Sequence, residues 1–190
     1  DVTYGLITNK EDTLVVMDDS IVRGTTLKKS ILRILDRLNP KRIVVVSSAP
    51  VIKYPDCYGI DMSRFSEFVA YKALLSLLEK NNMQSKLTEA YEECKRQILL
   101  PSAQIKNVIK DLYGLFTDEQ LIDEIRHKIT PKDIRASVDI VFQTVEHLHE
   151  ACPEHKGDWY FTGDYPTPGG VKVALRSFIY AYEGRTERAY

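Results

Sequence analysis

The sequence holds no uninterrupted apolar run approaching ~18 residues, which excludes a membrane-spanning helix. No leader of the secretory type opens it, so cytoplasm is the default expectation. Cysteine is scarce: Cys57, Cys94 and Cys152 are odd in number, widely spaced and without a C-x-x-C pair, the pattern of reduced intracellular thiols. Charge of either sign is not in excess. The net charge is −1 and the isoelectric point about 6.5, which gives neither a nucleic-acid surface nor affinity for an anionic membrane. There is one tryptophan, and the eleven tyrosines are scattered rather than arranged as a recognition stripe. Repeats and low-complexity segments are absent. With 190 residues, the chain can bury a core for one domain, or for one domain with an extension.

What is present is concentrated in residues 13–26. Leu14 to Met17 form a short apolar, β-branched run, the pattern of a buried strand. Asp18 and Asp19 follow where that strand would end, then a loop of small and hydroxyl residues: Ser20, Gly24, Thr25 and Thr26. Leu27, Ile31, Ile34, Leu35 and Leu38 next trace one face of a helix ended by Asn39-Pro40, and Ile43 to Val46 predict a second buried strand. This is a βαβ unit whose loop lies at the carboxyl end of the first strand, where open α/β sheets place ligands.

The chemistry of that loop follows from its residue types. A helix N-terminus offers unpaired N–H groups and the positive end of the macrodipole, which suit a phosphate. Gly24 removes a Cβ where backbone must approach an anion, and the hydroxyls add donors. Adjacent carboxylates would repel a bare phosphate, but they suit sugar hydroxyls or a divalent cation that neutralises a pyrophosphate. The Walker pattern is absent, since no lysine precedes the threonine pair. The competing reading is a pair of acids that merely caps a helix, with hydroxyls satisfying a turn.

The string Val15-Val16-Met17-Asp18-Asp19-Ser20-Ile21-Val22-Arg23-Gly24-Thr25-Thr26 resembles the phosphoribosylpyrophosphate (PRPP) loop of type I phosphoribosyltransferases, and specifically that of the glutamine PRPP amidotransferase family. A second segment, Ser47-Ser48-Ala49-Pro50 through Tyr54-Pro55 to Tyr58-Gly59-Ile60-Asp61-Met62, is similar to the same family in order and spacing. A generic phosphoribosyltransferase would share the acidic pair and the Gly-Thr, but not the Tyr-Gly-Ile-Asp segment. Further along, Asp123 to Arg126 and Phe161 to Pro166 are similar to the family's C-terminal region.

The resemblance implies an α/β fold: the C-terminal part of a type I phosphoribosyltransferase parallel sheet over residues 1–62, with a mostly helical extension over 63–190. It implies that Asp18 and Asp19 bind the ribose hydroxyls of PRPP beside its Mg2+, and that Ser20, Ile21, Val22, Arg23, Gly24, Thr25 and Thr26 hold the 5′-phosphate. The reaction implied is synthesis of 5-phosphoribosylamine from PRPP and ammonia in purine biosynthesis. Departure of pyrophosphate leaves a cation-like sugar, which nearby carboxylates stabilise. Ammonia would come from a glutaminase domain with an N-terminal cysteine nucleophile; the three cysteines here are internal, so that domain is expected elsewhere, in a longer, homo-oligomeric enzyme of which this chain is the C-terminal portion. The chain alone is then expected to be inactive. The alternative is a non-catalytic PRPP-sensing module, against which both acids and both threonines are retained. Some family members hold an iron–sulfur cluster through cysteines, one before the Tyr-Gly-Ile-Asp segment and two before Phe-Thr-Gly. Cys57 is one residue off the first position and no cysteine stands at 157–160, so no cluster is expected.

The rest of the chain reads mostly helical. Ser63 is a candidate N-cap for a helix with Phe65, Phe68, Val69, Lys72, Leu75 and Leu78 on one face. A second helix is predicted over 85–99, a third with Ile105, Val108, Ile109 and Leu112 up to Gly114, and a short one opened by the capping box Thr117 to Gln120. The helices from about 73 to 116 read as an insertion relative to the family, either a packing layer or a lid, regulatory contact or interface. Residues 131–151 have helical spacing, while Val138 to Phe142 equally suit a strand. A last amphipathic helix follows the turn at 166–170 and closes at Gly184. A weak additional strand is suggested at 4–7. His147 and His149 lie about 200° apart on a helix and cannot share one ion, so these histidines, with His155, read as solvent-facing rather than as a zinc site.

Overall fold

The computed structural model describes residues 5–57, 62–155 and 157–189. Its centre is a three-stranded parallel sheet in the order β1 (Thr13–Asp18), β2 (Arg42–Ser47) and β3 (Ser137–Phe142). The register places Val16 beside Val45 and Val45 beside Ile140, so apolar side chains of all three strands share one face. Eight α-helices accompany this sheet among the described residues: α1 (Leu32–Asp36), α2 (Val69–Lys80), α3 (Gln84–Ile98), α4 (Ile109–Tyr113), α5 (Asp118–Ile129), α6 (Val145–Ala151), α7 (Trp159–Thr162) and α8 (Pro168–Tyr182). The fold is therefore α/β with a helical extension, as the sequence implies. No helix among the described residues is long and apolar enough to cross a membrane.

The ambiguity at 131–151 resolves into strand followed by helix. Asp36 is the reason β3 starts where it does. Its carboxylate accepts the backbone N–H of Arg135 at 3.0 Å and of Ala136 at 2.9 Å, anchoring the chain just before Ser137. The strand then runs beside β2, and Thr144 caps α6 by accepting the His147 N–H.

The strand at 4–7 is not formed: residues 1–4 lie outside the described residues, and 5–7 are turn and bend. The helix after the loop has a different buried face from the one predicted. A π-helical turn spans Leu27–Ile31 before α1, so the deeply buried positions are Leu27, Leu32 and Asp36, while Ile34 is exposed. A π-turn adds one residue to the repeat and shifts the phase of everything after it. Near residue 63, α2 begins at Val69 after a 3-10 turn at Phe65–Glu67, so Ser63 is not its N-cap; Ser63 is buried and its carbonyl accepts the Ser177 hydroxyl at 3.0 Å. The buried face of α2 carries Val69, Ala73, Leu74, Leu77 and Leu78, and Lys72 is exposed. The capping box forms as predicted: Thr117 accepts the Gln120 N–H, and the Gln120 side chain accepts the Thr117 N–H. The predicted third helix is shorter, α4 starting only at Ile109, and Gly114 keeps right-handed helical angles rather than the left-handed ones of a C′ glycine.

The sheet's two faces differ. Ile43, Val45, Val138 and Ile140 are buried beneath the helices, with Phe65, Phe68, Leu74, Ile125, Ile129 and Phe178 in the same hydrophobic cluster. On the opposite face, Val15 is 64% exposed, Met17 75% and Val141 50%. The apolar run at 14–17 is thus covered on one side only.

Candidate functional site

The carboxyl end of β1 leads directly into the candidate site. Asp18 is the last strand residue, Asp19 the first beyond it, and residues 20–24 form a loop before the helical run that starts at Thr25. The loop encloses a cavity of about 290 Å3 lined by Asp18, by every residue from Ser20 to Thr26, and by Leu27. Of the nine residues singled out in the sequence, all but Asp19 line it. Asp19 stands beside it and accepts the Ser20 N–H at 2.7 Å. Ile21 and Leu27 are buried in the hydrophobic cluster, which ties the loop to the core. Lys28 N–H donates to Gly24 O at 3.0 Å, so the amides ahead of it open the helical run without intrahelical acceptors.

Gly24 is required by the fold itself. Its φ is +66°, and a Cβ there would lie 2.6 Å from Cγ2 of Ile129 at the end of α5. The sequence reading assigns the glycine to anion approach, while the structure adds a packing reason on its buried side. The loop is braced elsewhere as well. Val22 O accepts the Val69 N–H at 2.8 Å, and Lys28 Nζ donates to Lys128 O at 2.8 Å.

The two acids do not cap the helix: Asp18 Oδ1 accepts the neighbouring Asp19 N–H at 3.1 Å and Asp19 Oδ1 the Ser20 N–H, both ahead of the helical run that starts at Thr25. Burial pushes the Asp18 carboxyl above the usual carboxylate range, aided by the charge of Asp19 and opposed by the Asp19 N–H. Such a pair favours a neutralising cation. Mg2+ is bound elsewhere in proteins by one or two carboxylates plus substrate phosphates, and this donor set fits that pattern.

The second sequence segment supports the first. Ser48 N–H donates to Asp18 O and Ala49 N–H to Asp19 O, both at 3.0 Å, so Ser47-Ser48-Ala49-Pro50 fixes the backbone that carries the acids. Further on, the Lys53 and Tyr54 N–H groups donate to Tyr160 O, and Tyr165 Oη to Pro55 O. Gly163, at φ +76°, leaves no room for a Cβ against Asn107 and Tyr54. The Phe161 to Pro166 segment is thereby docked on Tyr54-Pro55. Tyr58 to Asp61 lie outside the described residues. In α5, Glu124 is buried beside Lys80 and Lys128, and Asp123 pairs with Arg126 at 2.7 Å.

Other clusters carry less chemistry. A larger groove of about 920 Å3 lies between α3 and α4, away from the strand ends, with Ala90, Val108, Leu112 and Leu115 among its lining residues. His149, Cys152, His155 and Asp158 line a cavity of about 340 Å3, and His149 Nε2 lies 3.0 Å from Asp158 Oδ2. No three His, Cys, Asp or Glu side chains among the described residues are grouped to hold a metal ion. Burial pushes the Cys57 thiol up to about 11 and the Cys94 thiol to about 12, so neither is a nucleophile at neutral pH.

Two charged residues at the loop were not singled out in the sequence, Arg64 and Glu67. Glu67 Oε2 lies 2.6 Å from Arg23 Nη2, and its Oε1 lies 3.1 Å from Arg64 Nη1. Their i,i+3 opposite charges were the available signal, hidden by reading 63–78 as one continuous helix.

A parallel sheet with an acidic pair and a glycine-hydroxyl loop at a strand's carboxyl end places the chain in the class of open α/β proteins, whose ligand sites lie at that end of the sheet. Within that class, the chain is homologous over part of its length to amidophosphoribosyltransferases. It is 44% identical over 62 residues to that of Pasteurella multocida, a stretch covering 33% of this chain and 12% of that protein. The Escherichia coli protein of the same name is 37% identical over 62 residues, again 33% and 12%. The Saccharomyces cerevisiae one is 28% identical over 145 residues, 67% of this chain and 26% of that protein. The matched stretches thus span about an eighth of the bacterial relatives and about a quarter of the yeast one. No family model matches the chain.

Proposed function

We propose that residues 18–26 bind PRPP and that the chain is the phosphoribosyl-transfer part of a glutamine amidotransferase making 5-phosphoribosylamine, in the cytoplasm and within a longer homo-oligomeric enzyme. The observation that carries this reading is the gathering of Asp18 and Ser20 to Thr26 around one cavity at the carboxyl end of β1. The first-turn amides and the Ser20, Thr25 and Thr26 hydroxyls take the 5′-phosphate. Asp18 and Asp19 face the ribose hydroxyls and would hold Mg2+, which would supply charge stabilisation to the departing pyrophosphate. As the C1–O bond to pyrophosphate breaks, the same carboxylates stabilise positive charge on the sugar. Neutral ammonia then forms the C1–N bond and loses a proton to solvent, so the loop need not supply a strong base. The ammonia is supplied by a glutaminase domain outside this chain.

The test is pyrophosphate release from PRPP with Mg2+ and excess ammonium, in the longer protein that carries this chain. Asp19→Asn is expected to lower that rate by at least ~10²-fold, the scale of lost transition-state electrostatics. Glutamine hydrolysis should persist in part. Unchanged ammonia-dependent synthesis in Asp19→Asn would remove the assigned role.

A further inference from the structure

We propose that Glu67 is a positioning residue for the phosphate loop: it holds the Arg23 guanidinium at the cavity's mouth and keeps it beside that of Arg64. This inference rests on the reading that the loop binds a phosphate monoester. The observation is one carboxylate shared between two cations, with Oε2 at 2.6 Å from Arg23 and Oε1 at 3.1 Å from Arg64. Arg23 lines the loop cavity, and its side chain is 44% exposed. An arginine side chain that swings freely loses rotamer freedom on engaging an anion. One already held in place has lost part of that freedom beforehand.

Glu67 is fitted for the task because its own backbone is fixed. It ends the 3-10 turn Phe65–Glu67, with fully buried Phe65 before it and fully buried Phe68 after it. Phe65 N–H donates to Ser177 Oγ at 3.1 Å, which ties the turn to α8. Two residues beyond Glu67, the Val69 N–H that opens α2 donates to Val22 O at 2.8 Å, so the chain just after the turn is hydrogen-bonded to the loop. A carboxylate on this support is a stationary anchor, and Arg23 is the movable partner. Glu67 also offsets the repulsion between two guanidiniums held close together.

A double-mutant cycle tests this in the longer protein, with inorganic phosphate and ribose 5-phosphate as probes in titration calorimetry. Glu67→Gln keeps the side-chain shape and removes the charge. It is expected to weaken both probes about fivefold, the upper range for a half-exposed pair, and to leave the melting temperature within ~2 °C. Arg23→Ala is expected to weaken them further, about tenfold. The double variant should bind like Arg23→Ala alone, because Glu67 acts through Arg23, and Glu67→Asp should restore part of the loss. A Glu67→Gln protein that binds as well as or better than the unsubstituted one, while Arg23→Ala binds worse, would overturn the positioning role and leave the loop reading intact. Additive losses would mark Glu67 as acting independently of Arg23 and overturn it equally. If the unsubstituted protein bound neither probe, the loop reading itself would fall, and this inference with it.

Discussion

Gly24 shows how one residue meets a backbone and a packing requirement at once. Its φ of +66° is a conformation that other residues adopt at a cost of about 1–2 kcal/mol. Its missing Cβ also leaves room for Ile129, and overpacking at such a point costs typically ~1–3 kcal/mol. Gly184, at φ +71° with nothing within 4 Å of its would-be Cβ, provides an internal control with the first cost alone. Gly24→Ala is therefore expected to destabilise the protein by about 2–5 kcal/mol, and Gly184→Ala by about 1–2 kcal/mol. Urea unfolding of the two variants measures the difference. Equal losses would show that Ile129 yields without cost and that only backbone strain matters at position 24. Phosphate binding should fall in Gly24→Ala and be untouched in Gly184→Ala.

At the scale of single elements, Asp36 decides where β3 begins. Its side chain is nearly buried and accepts the Arg135 and Ala136 amides, with Arg135 Nε at 3.2 Å on the other oxygen. Burial alone would raise its carboxyl, but the Ala136 and Arg135 hydrogen bonds outweigh it and hold the group below the usual carboxylate range. The sign of the pH effect follows. A depressed folded-state pKa contributes stability that is present above the unfolded value of ~3.9 and lost as pH falls through the folded value. Asp36→Ala, which strands a buried amide, should cost about 2–3 kcal/mol at neutral pH. That gap should shrink as pH falls below ~4, measured by denaturant unfolding across the range. A gap independent of pH would mean that the deficit is packing rather than charge.

Asp36 also marks the limit of what the sequence disclosed about these elements. The strands at 14–17 and 43–46, the capping box at Thr117 and the last helix were legible because each depends on local pattern and local hydrogen bonds. So was the loop, whose nine residues are contiguous; eight of them line one cavity. The phase of the helix after the loop was not legible, because the π-turn at Leu27–Ile31 breaks the 3.6-residue repeat on which face prediction depends. Nor was the choice between helix and strand at 131–151. The side chain that settles it is about 100 residues away in sequence. The link from Glu67 to Arg23 is equally non-local, 44 residues apart, and only the fold brings the two together.

For the molecule as a whole, the open question is what covers the second face of the sheet. Val15, Met17 and Val141 stand exposed there, and β1 lies at a sheet edge with no strand on its outer side among the described residues. An apolar sheet face next to a free edge favours association with another chain or further protein. The relatives matched by this chain are four to nine times longer than the matched stretches, so such protein exists in them. The double substitution Val15→Lys with Met17→Lys therefore has opposite expected effects in two settings. In the 190-residue chain by itself, both side chains point to solvent, and the added charges should suppress self-association in sedimentation velocity with little loss of stability. In a longer protein whose additional segments pack on this face, the same lysines would be buried without partners, and the protein should lose several kcal/mol or fail to fold. Tolerance of both lysines in the longer protein would show that the face stays in water there, and that the sheet is complete with one covered side.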